Sequence, residues 1–305
     1  MVTDPIFEEP KMSDYIQTLK ELEKTKEFFI GVDSDGCAFD TMEIKHKECF
    51  IPNIINHWKL QPVSRFAREA AEFVNLYSVH RGCNRFNALM MVFDLLADWN
   101  EPKSRGYELP NIPNLRQWIE TESRLSSQAL EEKVAQSDCE DLKRALAWSD
   151  AVNETVTGMV HGVPPFPLVR ESLSKIAQNA DVIVCSATPN EALEREWKEH
   201  DIAQFVKLIC GQEMGKKKEH LGYAAVGKYD LDKILMIGDA PGDMKAAKDN
   251  GVLFYPINPN NEQASWERFY NEAADKFFAG EYAGDYEKMV IDEFKTYLPE
   301  TPRWK

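Results

Sequence analysis

The sequence predicts an α/β protein, a Rossmann-like, doubly wound parallel sheet carrying an inserted, all-helical domain. Three observations predict it. An isolated apolar run, FFIGV at 28–32, stands near the start of the chain; from Pro167 onward short apolar runs alternate with helical stretches; and the long segment between them has helical periodicity and almost no strand signal.

Met12 to Lys24 sets Met12, Tyr15, Ile16, Leu19 and Leu22 on one helical face, which makes a packing helix. Phe28 to Val32 follows as a buried strand, ending in the acidic segment Asp33-Ser34-Asp35-Gly36. Amphipathic stretches at Ser64–Tyr77, Asn84–Trp99, Leu115–Glu122 and Asp141–Met159 fill the segment from Met42 to Val163. A right-handed crossover between parallel strands takes only ~30 residues, so a connection roughly four times that long is a domain of its own. The boundaries predicted are a core over 1–41 and 164–305 and a helical cap domain over 42–163.

Beyond the insertion the predicted order is a helix over Leu168–Ala177, a strand at Val182–Cys185, a helix over Asn190–Glu199 and a strand at Phe205–Ile209. A helix over Lys217–Val226, a strand at Ile234–Ile237, a helix beginning near Asp243 and a strand at Val252–Tyr255 complete the sheet. Strands that read as near-continuous apolar runs are those covered on both faces. The last stretch, Asn261 to Leu298, is helical and acidic and extends the core.

Composition narrows the function. A net charge of -15 repels a phosphate backbone, so nucleic acid is not an expected partner. No run approaches the ~20 apolar residues of a membrane span, and the acidic N-terminus MVTDPIFEEPKMSDY lacks the basic start and apolar centre of a leader peptide. The six cysteines are scattered without a CxxC pair, as expected of free thiols in a reducing compartment, and the expected location is cytoplasmic. Monomer and homodimer are both compatible with the chain.

The chemistry concentrates at strand ends. Asp33 and Asp35 follow the first strand one residue apart, and a turn at Gly36 can bring both carboxylates to one site. A second cluster, Gly238-Asp239-Ala240-Pro241-Gly242-Asp243, follows the strand at Ile234–Ile237, with Asp243 in the first turn of a helix, where a carboxylate also complements the helix dipole. Burying several carboxylates together is costly, and a divalent cation with oxygen ligands such as Mg2+ offsets the cost. Ser186, at the end of VIVCS, and a lysine among Lys216, Lys217 and Lys218 supply a hydroxyl and a positive charge suited to phosphoryl oxygens.

These segments together resemble the haloacid-dehalogenase-like (HAD) hydrolase superfamily. The DxDGxxxD pattern runs from Asp33 to Asp40; the apolar strand ends in Ser186; the lysine lies in GKKKEHL; and Asp239 to Asp243 form GDxxxD. The resemblance implies a Mg2+-dependent phosphatase acting on a small phosphorylated metabolite, as phosphoglycolate-phosphatase-like members do. It makes Asp33 the nucleophile that becomes an aspartyl-phosphate and Asp35 the acid and base. Ser186 and Lys217 become the holders of the phosphoryl group, and Asp33, the Asp35 carbonyl, Asp239 and Asp243 the metal ligands. An aspartate at position 35 separates the chain from members that cleave carbon–halogen or carbon–phosphorus bonds.

The inserted domain corresponds in place to the family's helical cap, which excludes water from the site. Within it, His80 to Phe86 gathers polar groups around Gly82, and Arg81, Asn84 and Arg85 are the candidate contacts to the non-phosphate part of a substrate; the other reading pairs these arginines with glutamates of the cap. A phosphomutase shares the nucleophile, the acid/base residue and the cap position, and a non-catalytic binding protein is the third reading.

Overall fold

The computed structural model describes residues 12–305; the acidic segment 1–11, on which the leader-peptide reading draws, lies outside them. The sheet has five strands: β1 (Phe28–Val32), β2 (Ala180–Cys185), β3 (Leu208–Cys210), β4 (Ile234–Gly238) and β5 (Leu253–Pro256). Their order is β3-β2-β1-β4-β5, and every pairing is parallel. The fold is therefore the doubly wound α/β arrangement that the apolar runs predict. The chain proceeds outward from β1 through β2 to β3, then returns to lay β4 against the other side of β1. That reversal places a crevice at the carboxyl ends of the central strands, the usual ligand position in open parallel sheets.

Burial explains the strand sequences. All six residues of β2 and all five of β4 are buried, so neither strand alternates polar with apolar residues. Gly31 in β1 is required by packing: a Cβ there would stand 2.8 Å from Leu221 Cδ2 and 3.1 Å from Cys185 Sγ. The register sets Val32 beside Val184 of β2 and Ile237 of β4. The residues immediately after these strands consequently emerge at one level.

The third strand differs from expectation. The run from Phe205 is apolar, but Ala203–Phe205 form a 3-10 turn in which Val206 N donates to Ala203 O (3.3 Å), and extended pairing starts only at Leu208. The C-terminal helices close the β5 edge. Tyr255 Oη donates to Ser265 O (2.6 Å) and Tyr282 Oη to Phe254 O (2.7 Å), while the Glu287 carboxylate accepts from Phe254 N (2.9 Å). Gly280 and Gly284, both at positive φ (74° and 90°), break this region between Ala274–Ala279 and Asp285–Tyr297.

The chain divides into two compact units. The sheet unit comprises the chain up to Ala38, Pro164–Asp239 and Asp243–Ile291; the helical unit comprises Phe39–Val163, Ala240–Gly242 and Asp292–Lys305. The core of the helical unit is aromatic: Trp58, Phe86, Phe93, Trp118 and Trp148 are all buried in one apolar cluster. Its longest helix, Glu140–Met159, contributes Leu142, Ala145, Trp148 and Val152 at helical spacing. The final residues group with this unit, where the sequence reading attached them to the core. Trp304 stacks on Trp99 with ring centroids 4.3 Å apart, and Val79 N donates to Pro299 O (3.4 Å).

Four cysteines, Cys37, Cys49, Cys185 and Cys210, are buried free thiols, and Cys83 and Cys139 are partly exposed. No described helix is long and apolar enough to cross a membrane.

Candidate active site

Asp33 continues the ladder of β1 by one residue, its N–H donating to Ile237 O of β4 (2.9 Å). That bond fixes its Cα at the strand end, and the residue is only 4% exposed. Asp33 Oδ1 accepts from Ser34 N (2.8 Å), and Oδ2 lies 2.8 Å from Lys217 Nζ. The following turn is pinned from several sides. Gly36 adopts φ 77°, Ala38 N donates to Ser34 O (2.9 Å), and Trp266 Nε1 donates to Cys37 O (2.8 Å).

Asp239 leaves β4 beside Asp33, and its N–H donates to Asp243 Oδ2 (3.2 Å). Asp243 sits in the first turn of the helix Pro241–Asn250 and is fully buried. Its Oδ1 is 2.6 Å from Lys217 Nζ, so one ammonium bridges Asp33 and Asp243. Gly238 is what allows this closeness: a Cβ there would stand 2.4 Å from Asp243 Cβ.

Three lysines are adjacent in the sequence, and helix phase separates them. Lys217 opens the helix Lys217–Ala224 and turns its ammonium into the cluster, whereas Lys218 reaches Asp249 (3.4 Å) on the surface. The Lys216 backbone caps the helix, its N–H donating to Glu219 Oε2 (2.7 Å).

Ser186 follows β2, and its N–H continues the ladder to Cys210 O of β3 (2.9 Å). Its hydroxyl oxygen accepts from Thr188 N (3.2 Å), and the Thr188 hydroxyl donates to Asp35 Oδ2 (2.6 Å). Thr188 thus ties Ser186 to Asp35. On the other side of the nucleophile segment, Ser34 Oγ accepts from Trp197 Nε1 (3.0 Å) and donates to Glu196 Oε2 (3.2 Å). Thr188, Glu196 and Trp197 carry no motif, and only the fold brings them to the site.

The electrostatics are those of carboxylates in excess. Burial pushes the Asp33 carboxyl well up; Lys217 opposes this, and Asp243 and Asp239 add to it. Burial alone would lower the Lys217 ammonium, but Asp243, Asp33 and Asp239 outweigh it and hold the proton firmly. Asp33, Asp239 and Asp243 are buried, with one carboxylate oxygen of each within 4.8 Å of the others. Three carboxylates facing a single ammonium leave negative charge uncompensated. An all-oxygen donor set of that charge fits a hard divalent cation.

Asp33, Asp239, Asp243 and Lys217 form one cluster, which Asp35 and Ser186 flank through Thr188. Arg81, Asn84 and Arg85 lie in the helical unit and are engaged there. Arg81 is buried, donates to Leu76 O (2.9 Å), and bears electrostatically on Asp40. Asn84 caps the helix Arg85–Asp98, accepting from Phe86 N (3.0 Å), and donates to Leu125 O (3.0 Å). Arg85 donates to Ser149 Oγ (3.0 Å) and Asn153 Oδ1 (2.8 Å).

The chain is similar to known proteins at two levels. The family profile described as haloacid dehalogenase-like hydrolase matches residues 103–257, a span that holds Ser186, Lys217, Asp239 and Asp243 but begins after Asp33 and Asp35. Comparison with curated proteins finds no match. Among solved structures, a haloacid dehalogenase-like family hydrolase from Streptococcus pneumoniae is 14% identical with a TM-score of 0.44, covering 82% of this chain and 93% of that one. A predicted phosphoglycolate phosphatase from Haemophilus somnus is 13% identical, with a TM-score of 0.44 and coverage of 77% and 88%. A phosphonoacetaldehyde hydrolase-like protein from Oleispira antarctica is 9% identical, with a TM-score of 0.48 and coverage of 90% and 88%. Likeness at this level says nothing of substrate. The family match spans half of the chain and includes both strand-end segments β2 and β4, and the chain belongs to the haloacid dehalogenase-like hydrolases.

Proposed function

We propose that this chain is a Mg2+-dependent phosphatase that removes the phosphoryl group from a small phosphorylated metabolite, with Asp33 as the nucleophile. The observation that carries the reading is the buried Asp33 carboxylate held 2.8 Å from Lys217 with Asp239 and Asp243 beside it. A carboxylate alone would repel a phosphate dianion. Asp33, the Asp35 carbonyl, Asp239 and Asp243 would hold the cation, and when bound it supplies the positive charge that lets a carboxylate and a phosphate meet.

In the first step Asp33 forms a bond to phosphorus while the ester P–O bond breaks, and Asp35 gives its proton to the leaving oxygen. The Asp35 carboxylate then takes a proton from water as that water attacks the aspartyl-phosphate, which releases inorganic phosphate and restores Asp33. Lys217 and the Ser186 hydroxyl hold the transferred oxygens, so most of the acceleration comes from position and charge.

Phosphate release from a panel of phosphorylated metabolites, with and without magnesium, tests the reading against Asp33→Asn. Magnesium-dependent release that the substitution abolishes is the expected result. Interchange of bisphosphates without release would instead make the chain a mutase, and neither activity would leave the site without the proposed chemistry.

A further inference from the structure

Thr188 belongs to no motif, yet its hydroxyl donates to Asp35 Oδ2 at 2.6 Å, at the short end of O–H···O hydrogen bonds. Its backbone is fixed on both sides. Thr188 N donates to Ser186 Oγ (3.2 Å), and Thr188 O accepts from Gln212 N (3.1 Å). The next residue, Pro189, caps the helix Asn190–Glu199 and restricts Thr188 to extended conformations. A β-branched side chain has few χ1 rotamers, so a clamped threonine backbone aims its hydroxyl in a nearly fixed direction.

Asp35 is placed differently. It sits just ahead of the turn at Gly36, beyond the last ladder bond of β1. A carboxyl that must deliver a proton to one particular oxygen needs its rotamer held.

From this geometry we infer that Thr188 is a positioning residue for Asp35. Held at Oδ2 by Thr188, the Asp35 carboxyl keeps one orientation toward the leaving oxygen, and Ser186, through the Thr188 amide, keeps this alignment in step with the phosphoryl site. The inference rests on the proposed acid role of Asp35. It adds a residue to that role and predicts a signature that a merely structural threonine would not produce.

The signature is leaving-group dependence. A poor leaving group such as phenolate needs the Asp35 proton, while p-nitrophenolate departs without it. kcat/KM for phenyl phosphate and p-nitrophenyl phosphate is therefore measured on the natural protein, Thr188→Val, Thr188→Ser and Asp35→Asn, each with magnesium and a thermal melt. Thr188→Val is expected to lose ~10–100-fold on phenyl phosphate, the order that misplacing a catalytic group costs, and only a few-fold on p-nitrophenyl phosphate. Thr188→Ser restores most of the loss, since it keeps the donor. Thr188→Ala replaces the valine variant if valine does not fold.

Equal losses on both esters, or no loss on either, would overturn the positioning role while leaving the acid role of Asp35 intact. If Asp35→Asn handles both esters as the natural protein does, or if the natural protein cleaves neither, the reading beneath the inference fails instead.

Discussion

The Lys217 ammonium lies 2.8 Å from the Asp33 carboxylate at the floor of the site, and the same ammonium reaches Asp243 at 2.6 Å. One cation thereby serves two buried acids, one at the end of β1 and one in the first turn of the helix Pro241–Asn250. Its removal is predicted to cost activity and to make the fold depend on metal. Lys217→Ala should lower kcat/KM by ~10²–10³-fold, the order found when one charge-stabilising donor is deleted. With three carboxylates then facing one another, magnesium should raise the melting temperature of the variant more than that of the natural protein. Calorimetry with and without the ion reads this directly.

Gly238 predicts a steric failure at the same place. A Cβ would sit 2.4 Å from Asp243 Cβ, a distance that no small side-chain movement relieves. Gly238→Ala must displace the helix Pro241–Asn250 or the end of β4, and with either the 3.2 Å bond from Asp239 N to Asp243. Activity should fall together with a destabilisation of about 1–3 kcal/mol, the usual cost of overpacking, as measured by denaturant unfolding.

Acid should lower the stability of the sheet unit over two pH windows. His220 is buried beside Lys217, and burial first, then the lysine charge, lower it to about 4 from its ordinary 6.5. A depressed folded value means that stability is present above pH 6.5 and drains as pH falls toward about 4, by ~3 kcal/mol at most. His220→Leu should flatten the stability curve in that window.

Asp181 governs the more acidic window. Burial raises its carboxyl, but donors from Thr25 N (2.7 Å), Tyr229 Oη (2.6 Å) and Lys207 Nζ (2.9 Å) outweigh burial and hold it far below 3.8. Its contribution is present above pH 3.8 and is lost only as pH falls through the depressed value. Asp181→Asn should be less stable than the natural protein at neutral pH, with the gap closing in strong acid.

The C-terminal residues offer a test within the helical unit. Trp304 stacks on Trp99 and packs edge-on to Phe73 at 5.8 Å, while Lys305 pairs with Asp98 at 3.0 Å. Trp304→Ala should destabilise by ~1–2 kcal/mol, since Trp304 is partly exposed and the aromatic pairs dominate its contacts. The exposed Lys305–Asp98 pair should add little, so Lys305→Ala should be nearly neutral.

The sheet was legible because its strands are buried on both faces and read as apolar runs between polar helices; the span predicted at Phe28–Val32 is the span observed. The edge strand β3 was misplaced by three residues at its start, since an apolar run does not reveal which part pairs and which part turns. Asp33 and Asp239 stand just after strands and Asp243 in a first helical turn, places that sequence shows. Residue type alone did not separate Lys217 from Lys216 and Lys218; the family resemblance singled it out, and the phase of the helix is what separates three identical neighbours in the structure. Thr188, Glu196 and Trp197 were invisible for another reason: their roles rest on contacts across more than 150 positions of sequence. The docking of Trp304 on Trp99 is hidden for the same cause.

The most direct test of the account is to trap the covalent intermediate on Asp33. The protein is mixed with magnesium and a substrate that it turns over, quenched in acid within the first turnovers, digested and sequenced by mass spectrometry. The account predicts a phosphoryl group on the peptide that contains Asp33, absent from Asp33→Asn and more abundant in Asp35→Asn if hydrolysis of the intermediate is slowed. Steady turnover with no phosphoryl group on that peptide, or turnover that survives Asp33→Asn, would contradict it.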